Sequence, residues 1–322
     1  MTTSRFVRPT VPPGMTLTAR DRAILTALRE NRYMTTEQVH QLIFRGTHVR
    51  AAQARLRKLW AHRYLERHDL PIRFHDGRPL APARRGPVYT LGRAGVRIVA
   101  AGTGEDPGQI ERTLPRRPIP HLRHDLIVVG LSVALRVACR ERADIELRSL
   151  EPESALRRSA VTSRQKNGRR ISRYPVPDLA ITLGHRPSGR TLTFYAEVVR
   201  ADVRGGNKNL RQKLIAYRDL NRRGFFRAVY GHERLRAVLI LTTSEKRAEN
   251  FRRLAATLPD GRRLYWFGAY QRPSEGGPEE RTLLPETILG TRWTDTNGER
   301  HSFTASLRPP VPVTGPAELP GS

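Results

Sequence analysis

Apolar residues recur every three or four positions between about residues 18 and 64, whereas beyond residue 144 they alternate or gather in short blocks. The first pattern predicts helices and the second predicts strands. Thr18-Ala19-Arg20-Asp21 has the form of a capping box and opens a helix with Ile24, Leu25 and Leu28 on one face. Thr35-Thr36-Glu37-Gln38 opens a short second helix carrying Val39, Leu42 and Ile43. Gly46-Thr47 begins a third, expected to run to about Tyr64, in which Val49, Ala52, Leu56, Leu59 and Trp60 form a stripe. At about 100° per residue the opposite face holds Arg50, Ala54, Arg57 and Lys58. Strands over 64–67 and 87–91, either side of Asp76-Gly77, complete a wing with Arg84 and Arg85 beside it. After an N-terminal tail (1–16), residues 17–100 therefore read as a winged helix, with Arg50, Arg57 and Lys58 toward a major groove and Arg84 and Arg85 toward the backbone or minor groove.

The stretch Ala-Gly-Thr-Gly-Glu-Asp-Pro-Gly, followed by Pro115, Pro118 and Pro120, reads as a linker over 101–121. Residues 122–270 then alternate as a mixed α/β domain. Helices are expected at 123–141, 208–222 and 245–258, and strands at 144–150, 176–183, 192–200, 236–242 and 263–269. Val238-Leu239-Ile240-Leu241 has the unbroken apolar character of a central strand. Residues 271–322 are polar and Pro-rich and read as a tail.

Charge narrows the function. There are 58 Lys+Arg against 30 Asp+Glu, a formal net charge of +28, and only five of the basic residues are lysine. Both halves of the chain are basic. Guanidinium groups make bidentate contacts with phosphate, so this excess points to nucleic acid rather than a membrane surface. No apolar run approaches the roughly 20 residues that span a bilayer, and the first ten residues lack the apolar centre of a signal peptide, so a cytoplasmic location away from membranes is expected. A single cysteine, Cys139, excludes an internal disulfide. Aromatics make up 7% without an interleaved basic-aromatic platform for unpaired bases, which favours double-stranded DNA over RNA.

Within this positive field stand two carboxylates, Asp178 in Tyr-Pro-Val-Pro-Asp and Glu197 in Tyr-Ala-Glu-Val-Val. The turn-rich 184–190 segment predicts a hairpin between their strands, which brings both to one end of the sheet, where they can share Mg²⁺ or Mn²⁺. Taken singly, Asp178 serves equally as a cap and Glu197 as a partner for Arg200 or Arg173. His124 opens a helix and reads first as a locally satisfied histidine; Tyr217 shares a face with Leu210 and Leu214 and reads as core. Between Ala155 and Pro177 no acid interrupts Arg157, Arg158, Arg164, Lys166, Arg169, Arg170 and Arg173, a run that phosphate would neutralise. Arg204-Gly205-Gly206-Asn207-Lys208 is either a phosphate cradle or a plain glycine turn.

The order helix, three strands, helix, strand, with Pro177-Asp178 and Glu197, resembles the PD-(D/E)xK restriction-endonuclease-like fold. With the winged helix in front, His124 at the start of the linking helix, and Lys213-Leu214 and Tyr217 after Glu197, residues 17–270 resemble the plasmid replication-relaxation family, which is similar in layout to the nuclease-fold relaxases. The resemblance implies a DNA-binding protein of plasmid or mobile-element replication or mobilisation that works with other such proteins. It further implies an Mg- or Mn-dependent nickase using Asp178, Glu197 and Lys213, or else a non-catalytic initiator or regulator with a degenerate nuclease fold. One departure bears on this choice. Val199 stands where the nuclease pattern has lysine, which leaves Lys213, and after it Lys208, as replacements.

Overall fold

The computed structural model describes residues 7–68, 87–114, 122–159, 162–164, 170–172, 174–199, 206–233, 235–258, 263–269 and 283–308. The N-terminal part contains α1 (Ala19–Asn31), β1 (Met34–Thr35), α2 (Thr36–Ile43), α3 (Val49–Ala61), β2 (Leu65–His68), β3 (Val88–Leu91), α4 (Arg93–Thr103) and α5 (Pro107–Thr113). Thr18 and Asp21 form the expected capping box on α1, and Thr35 and Gln38 form another on α2. β3 pairs antiparallel with both β1 and β2, giving a three-stranded sheet in the order β1-β3-β2. Ala52, Leu56, Leu59 and Trp60 of α3 are buried, and Arg50, Arg57 and Lys58 are exposed. Asp21, itself fully buried, is held by the Arg55 guanidinium reaching across from α3.

α6 (Leu122–Arg140) joins this part to the rest. Then follow β4 (Ile145–Pro152), α7 (Glu153–Ser159), β5 (Thr162–Arg164), β6 (Arg170–Ser172), β7 (Leu179–His185), β8 (Thr191–Val199), α8 (Gly206–Arg222) and α9 (Phe225–Tyr230). The chain continues through β9 (Leu235–Thr242), α10 (Glu245–Ala256), β10 (Tyr265–Ala269), α11 (Pro285–Ile288), β11 (Trp293–Asp295), β12 (Arg300–His301) and α12 (Phe303–Leu307). Seven strands form one sheet in the order β12-β11-β10-β9-β8-β7-β4, while β5 and β6 form a small hairpin of their own. β8, β9 and β10 run parallel; the other neighbours are antiparallel. The fold is mixed α/β, as expected.

The central strands are covered on both faces because successive side chains point to opposite sides. Leu179, Phe194, Ala196, Val198, Leu239 and Leu241 meet α6, α11 and α12. Ala180, Tyr195, Val238, Ile240 and Phe267 meet α8 and α10. Right-handed crossovers between parallel strands taken in order place both of these connecting helices on one side. α8 presents Leu210, Leu214, Tyr217 and Leu220 at helical spacing to that side.

Four expectations need correction. Part of the expected 101–121 linker is helical: Gly104 (φ 74°) ends α4 in the left-handed conformation, and Asp106 caps α5 ahead of Pro107, so Gly and Pro here stop one helix and start the next. The expected 271–322 tail contains residues 283–308, which extend the sheet with β11 and β12 and bury Ile288, Trp293, Phe303 and Leu307 in the core. Gly268 on β10 makes room for the Trp293 ring; a Cβ there would stand 3.0 Å from it. Finally, α3 ends at Ala61 rather than near Tyr64, and β7 begins at Leu179, one residue after Asp178.

α6 buries two sides along its middle. Val129, Val133 and Val137 complete the core of the N-terminal part, while Leu131, Ala134, Leu135 and Ala138 belong to the sheet core. Gln38 of α2 donates its side-chain amide to the Leu126 carbonyl at 2.7 Å, Arg136 pairs with Glu30 at 2.9 Å, and Arg45 bridges both Glu141 and Glu286.

Candidate active site

β7 and β8 form the expected hairpin, with Leu179 opposite Ala196 in the register. Just outside this pair, the Asp178 N–H donates to the Ala196 carbonyl at 3.0 Å, which places Asp178 beside Glu197 at the carboxyl end of β8. The alternation that sends Ala196 and Val198 into the α6 side sends Glu197 toward α8. There the buried carboxylate meets Lys213 and Tyr217, one helical turn apart. The Lys213 ammonium pairs with Oε2, and the Tyr217 hydroxyl donates to Oε1 at 2.6 Å. The Lys213 side chain stays 44% exposed, so a solvent-borne phosphate can reach it, whereas Tyr217 is fully buried.

Asp178 is held from the other side. Its Oδ2 accepts from the Val198 N–H at 2.7 Å and lies 3.0 Å from His124 Nε2 on the first turn of α6. His124 Nδ1 is 3.3 Å from Asp125 Oδ1. Asp178 Oδ1 accepts no hydrogen bond from a described residue. Glu153 opens α7 by donating its N–H to the Asp178 carbonyl at 3.1 Å.

These groups shift one another. Burial drives Glu197 up to about 7, and the charge on Asp178 pushes the same way, against Lys213 and Tyr217. Burial also opposes ionisation of Asp178, but the His124 hydrogen bond and charge, the Lys213 charge and the Val198 N–H hold it below the ordinary carboxylate range. Burial works against the His124 imidazolium, yet Asp125 and Asp178 outweigh it and hold His124 at about 10. Lys213 is raised despite burial because Glu197, Asp178 and Glu153 all favour its charged form. Burial and the neighbouring Glu197 push Tyr217 well above its ordinary value. A protonated pair of bases and a low-lying carboxylate thus surround one acid poised near neutrality.

Of the residues singled out in the sequence, the fold brings Asp178, Glu197, Lys213, Tyr217 and His124 together. Arg50, Arg57 and Lys58 stand apart on α3. Arg84, Arg85, Lys166 and Arg169 lie outside the described residues, as do Arg173, Arg200 and the side chains of Arg164, Arg170 and Lys208. Among the described residues, Glu197 pairs with Lys213. Asp125 and Glu153 were not foreseen; the only signal for Asp125 was its place beside His124. Among the described residues, a tighter cluster of possible ligands lies elsewhere, at Asp295, Glu299 and His301. In it Asp295 accepts from the N–H groups of Asn297 and Glu299 and contacts His301 at 3.0 Å, bonds that lock the β11–β12 hairpin.

The chain matches the model of the replication-relaxation family over residues 25–234, from α1 through the whole carboxylate site to the start of β9. The chain belongs to the replication-relaxation family. No curated protein and no solved structure matches it. In this replication-relaxation protein no helix among the described residues is long and apolar enough to cross a membrane. Membership points to a role in replication of a plasmid or mobile element.

Proposed function

We propose that this protein binds double-stranded DNA of a plasmid or mobile element and nicks it in a reaction dependent on Mg²⁺ or Mn²⁺. The observation that carries the reading is the pair Asp178 and Glu197, packed at one end of the sheet with Lys213 against them. The residues fit a hard divalent ion: Asp178 keeps one oxygen free of described partners, and Glu197 is a buried carboxylate that needs positive charge to ionise at neutral pH. Such an ion, when bound, supplies Lewis acidity toward the phosphodiester. Lys213 takes the place of the lysine missing at Val199 and meets charge developing on phosphate oxygens. Tyr217 fixes the far oxygen of Glu197, and His124 keeps Asp178 ionised and aimed.

Binding is assigned to the N-terminal part, read as a winged helix. Three helices and a three-stranded sheet put Arg50, Arg57 and Lys58 on the open face of α3, the arrangement that enters a major groove. The arginine-rich stretch between Ala155 and Pro177 is assigned contacts with the phosphate backbone.

Incubation of supercoiled plasmid with the protein and each divalent ion tests the proposal. Open-circular product is expected with wild type and is lost in Asp178→Ala and Glu197→Ala. Product that persists in both variants removes these carboxylates from the chemistry. One observation favours a second reading, a non-catalytic DNA-binding initiator: Lys213 and Tyr217 already occupy both oxygens of Glu197, so its charge is balanced without a metal. That reading expects salt-dependent binding and no cleavage with any ion.

A further inference from the structure

We infer that His124 is a positioning residue for Asp178 whose own position is set by the N-terminal part, so that the carboxylate pair is completed across the boundary between the two cores. The inference rests on the proposed metal-binding role of Asp178 and Glu197. Its basis is the first turn of α6. Leu122 is buried with Tyr33 and with Val88, the first residue of β3, and Leu126 packs against the same cluster. Between them sits His124, bonded to Asp178 Oδ2 at 3.0 Å. The turn is pinned from α2 by Gln38, whose amide donates to the Leu126 carbonyl at 2.7 Å while its Oε1 accepts the Thr35 N–H at 2.9 Å. Asp125, which contacts His124 Nδ1, faces Tyr33, whose ionisation its charge opposes.

A helix end held by apolar packing and one buried amide is a rigid mount, because close-packed interiors transmit displacement instead of absorbing it. Asp178 lies just ahead of β7, where its side chain has two anchors among the described residues: the Val198 N–H within the sheet and His124 from outside it. Only the second depends on residues before 123. The carboxylate therefore takes its aim from a seat built by α2, β3 and α6 together, and supporting contacts of this kind commonly set metal affinity by 10- to 100-fold.

The test is Mn²⁺ affinity, measured on the full chain by calorimetry and by the electron paramagnetic resonance of free Mn²⁺. Asp178→Ala combined with Glu197→Ala first checks the underlying reading: wild-type protein that binds no Mn²⁺, or binding that survives this double variant, overturns that reading and the inference with it. Given a site, His124→Ala is expected to weaken Mn²⁺ about tenfold or more, and His124→Asn, which keeps a donor, to recover part of the loss. The deciding variant is Gln38→Glu, which keeps the capping box but removes the donor to Leu126; severalfold weaker Mn²⁺ binding is expected. Tyr33→Phe, which deletes a hydroxyl without a hydrogen-bond partner among the described residues, should leave affinity unchanged. A Gln38→Glu protein that folds with the wild-type unfolding midpoint and binds Mn²⁺ as wild type does overturns the inference, as does unaltered affinity in His124→Ala, while the proposed metal site survives either result.

Discussion

Lys213 and Tyr217, one turn apart on α8, divide the two oxygens of Glu197 between them. The carboxylate is thereby oriented by one solvent-facing partner and one buried partner, and the two should fail differently. Lys213→Met is expected to lower nicking by roughly 10²-fold, the scale of losing one group that stabilises developing charge, and to cost stability above about pH 7, where it leaves the buried Glu197 carboxylate without its cation. Initial rates on supercoiled plasmid and thermal unfolding of the same preparation check both halves.

Tyr217→Phe removes a hydrogen bond to a buried charge. Stability should fall by roughly 1–3 kcal/mol, read from the urea midpoint at constant m. A variant as stable as wild type would mean that the Tyr217 hydroxyl does not support Glu197.

The acid pair makes stability depend on pH in a defined direction. Glu197 sits above its ordinary 4.5, at about 7, so its protonated form favours the fold; that contribution is complete below about 4.5 and disappears as pH rises through 7. His124, raised from 6.5 to about 10, adds stability that is full below 6.5 and lost as pH rises through 10. Urea midpoints from pH 5 to 10 should therefore fall in two stages. Glu197→Gln should abolish the lower stage and leave the upper, and Mn²⁺ should protect wild type more at pH 8 than at pH 6.

Arg50→Ala with Lys58→Ala removes two exposed cations from α3. Duplex binding should weaken, and the slope of log affinity against log salt should become shallower by about two. An unchanged slope, measured by fluorescence anisotropy at several salt concentrations, would take α3 off the DNA.

Trp293→Ala empties a fully buried indole site where the last part of the chain meets β10. A loss of about 3–5 kcal/mol is expected, measured by calorimetric unfolding. A much smaller loss would show that residues 283–308 are dispensable to the core.

The elements of the carboxylate site could be read in the sequence because each carries a strong local signal. The β7–β8 hairpin follows from two apolar runs around a turn, and α8 from Leu210, Leu214 and Tyr217 on one stripe. Helical spacing sets Lys213 one turn from Tyr217, but its place beside Glu197 is suggested by the family resemblance and the lysine missing at Val199. What was hidden depends on contacts between distant segments. Gly104, Asp106 and Pro107 read as linker residues because a Gly stop and an Asp-Pro start look the same as a loop until the helices around them are packed. Residues 283–308 read as a tail because their few large apolar side chains, Trp293 and Phe303 among them, are separated by polar residues that satisfy short strands and turns. His124 read as a satisfied helix-start residue; its neighbour Asp178 is more than fifty positions away, and no periodicity reports such a pairing.

The two-faced burial of α6 governs how the molecule can be taken apart. Cutting before Leu122 would strip Val129, Val133 and Val137 of their cover and leave α1 to α5 with an open trough; cutting after Arg140 would do the same to the sheet. Neither fragment keeps a closed interior, so the two cores stand or fall as one indivisible unit.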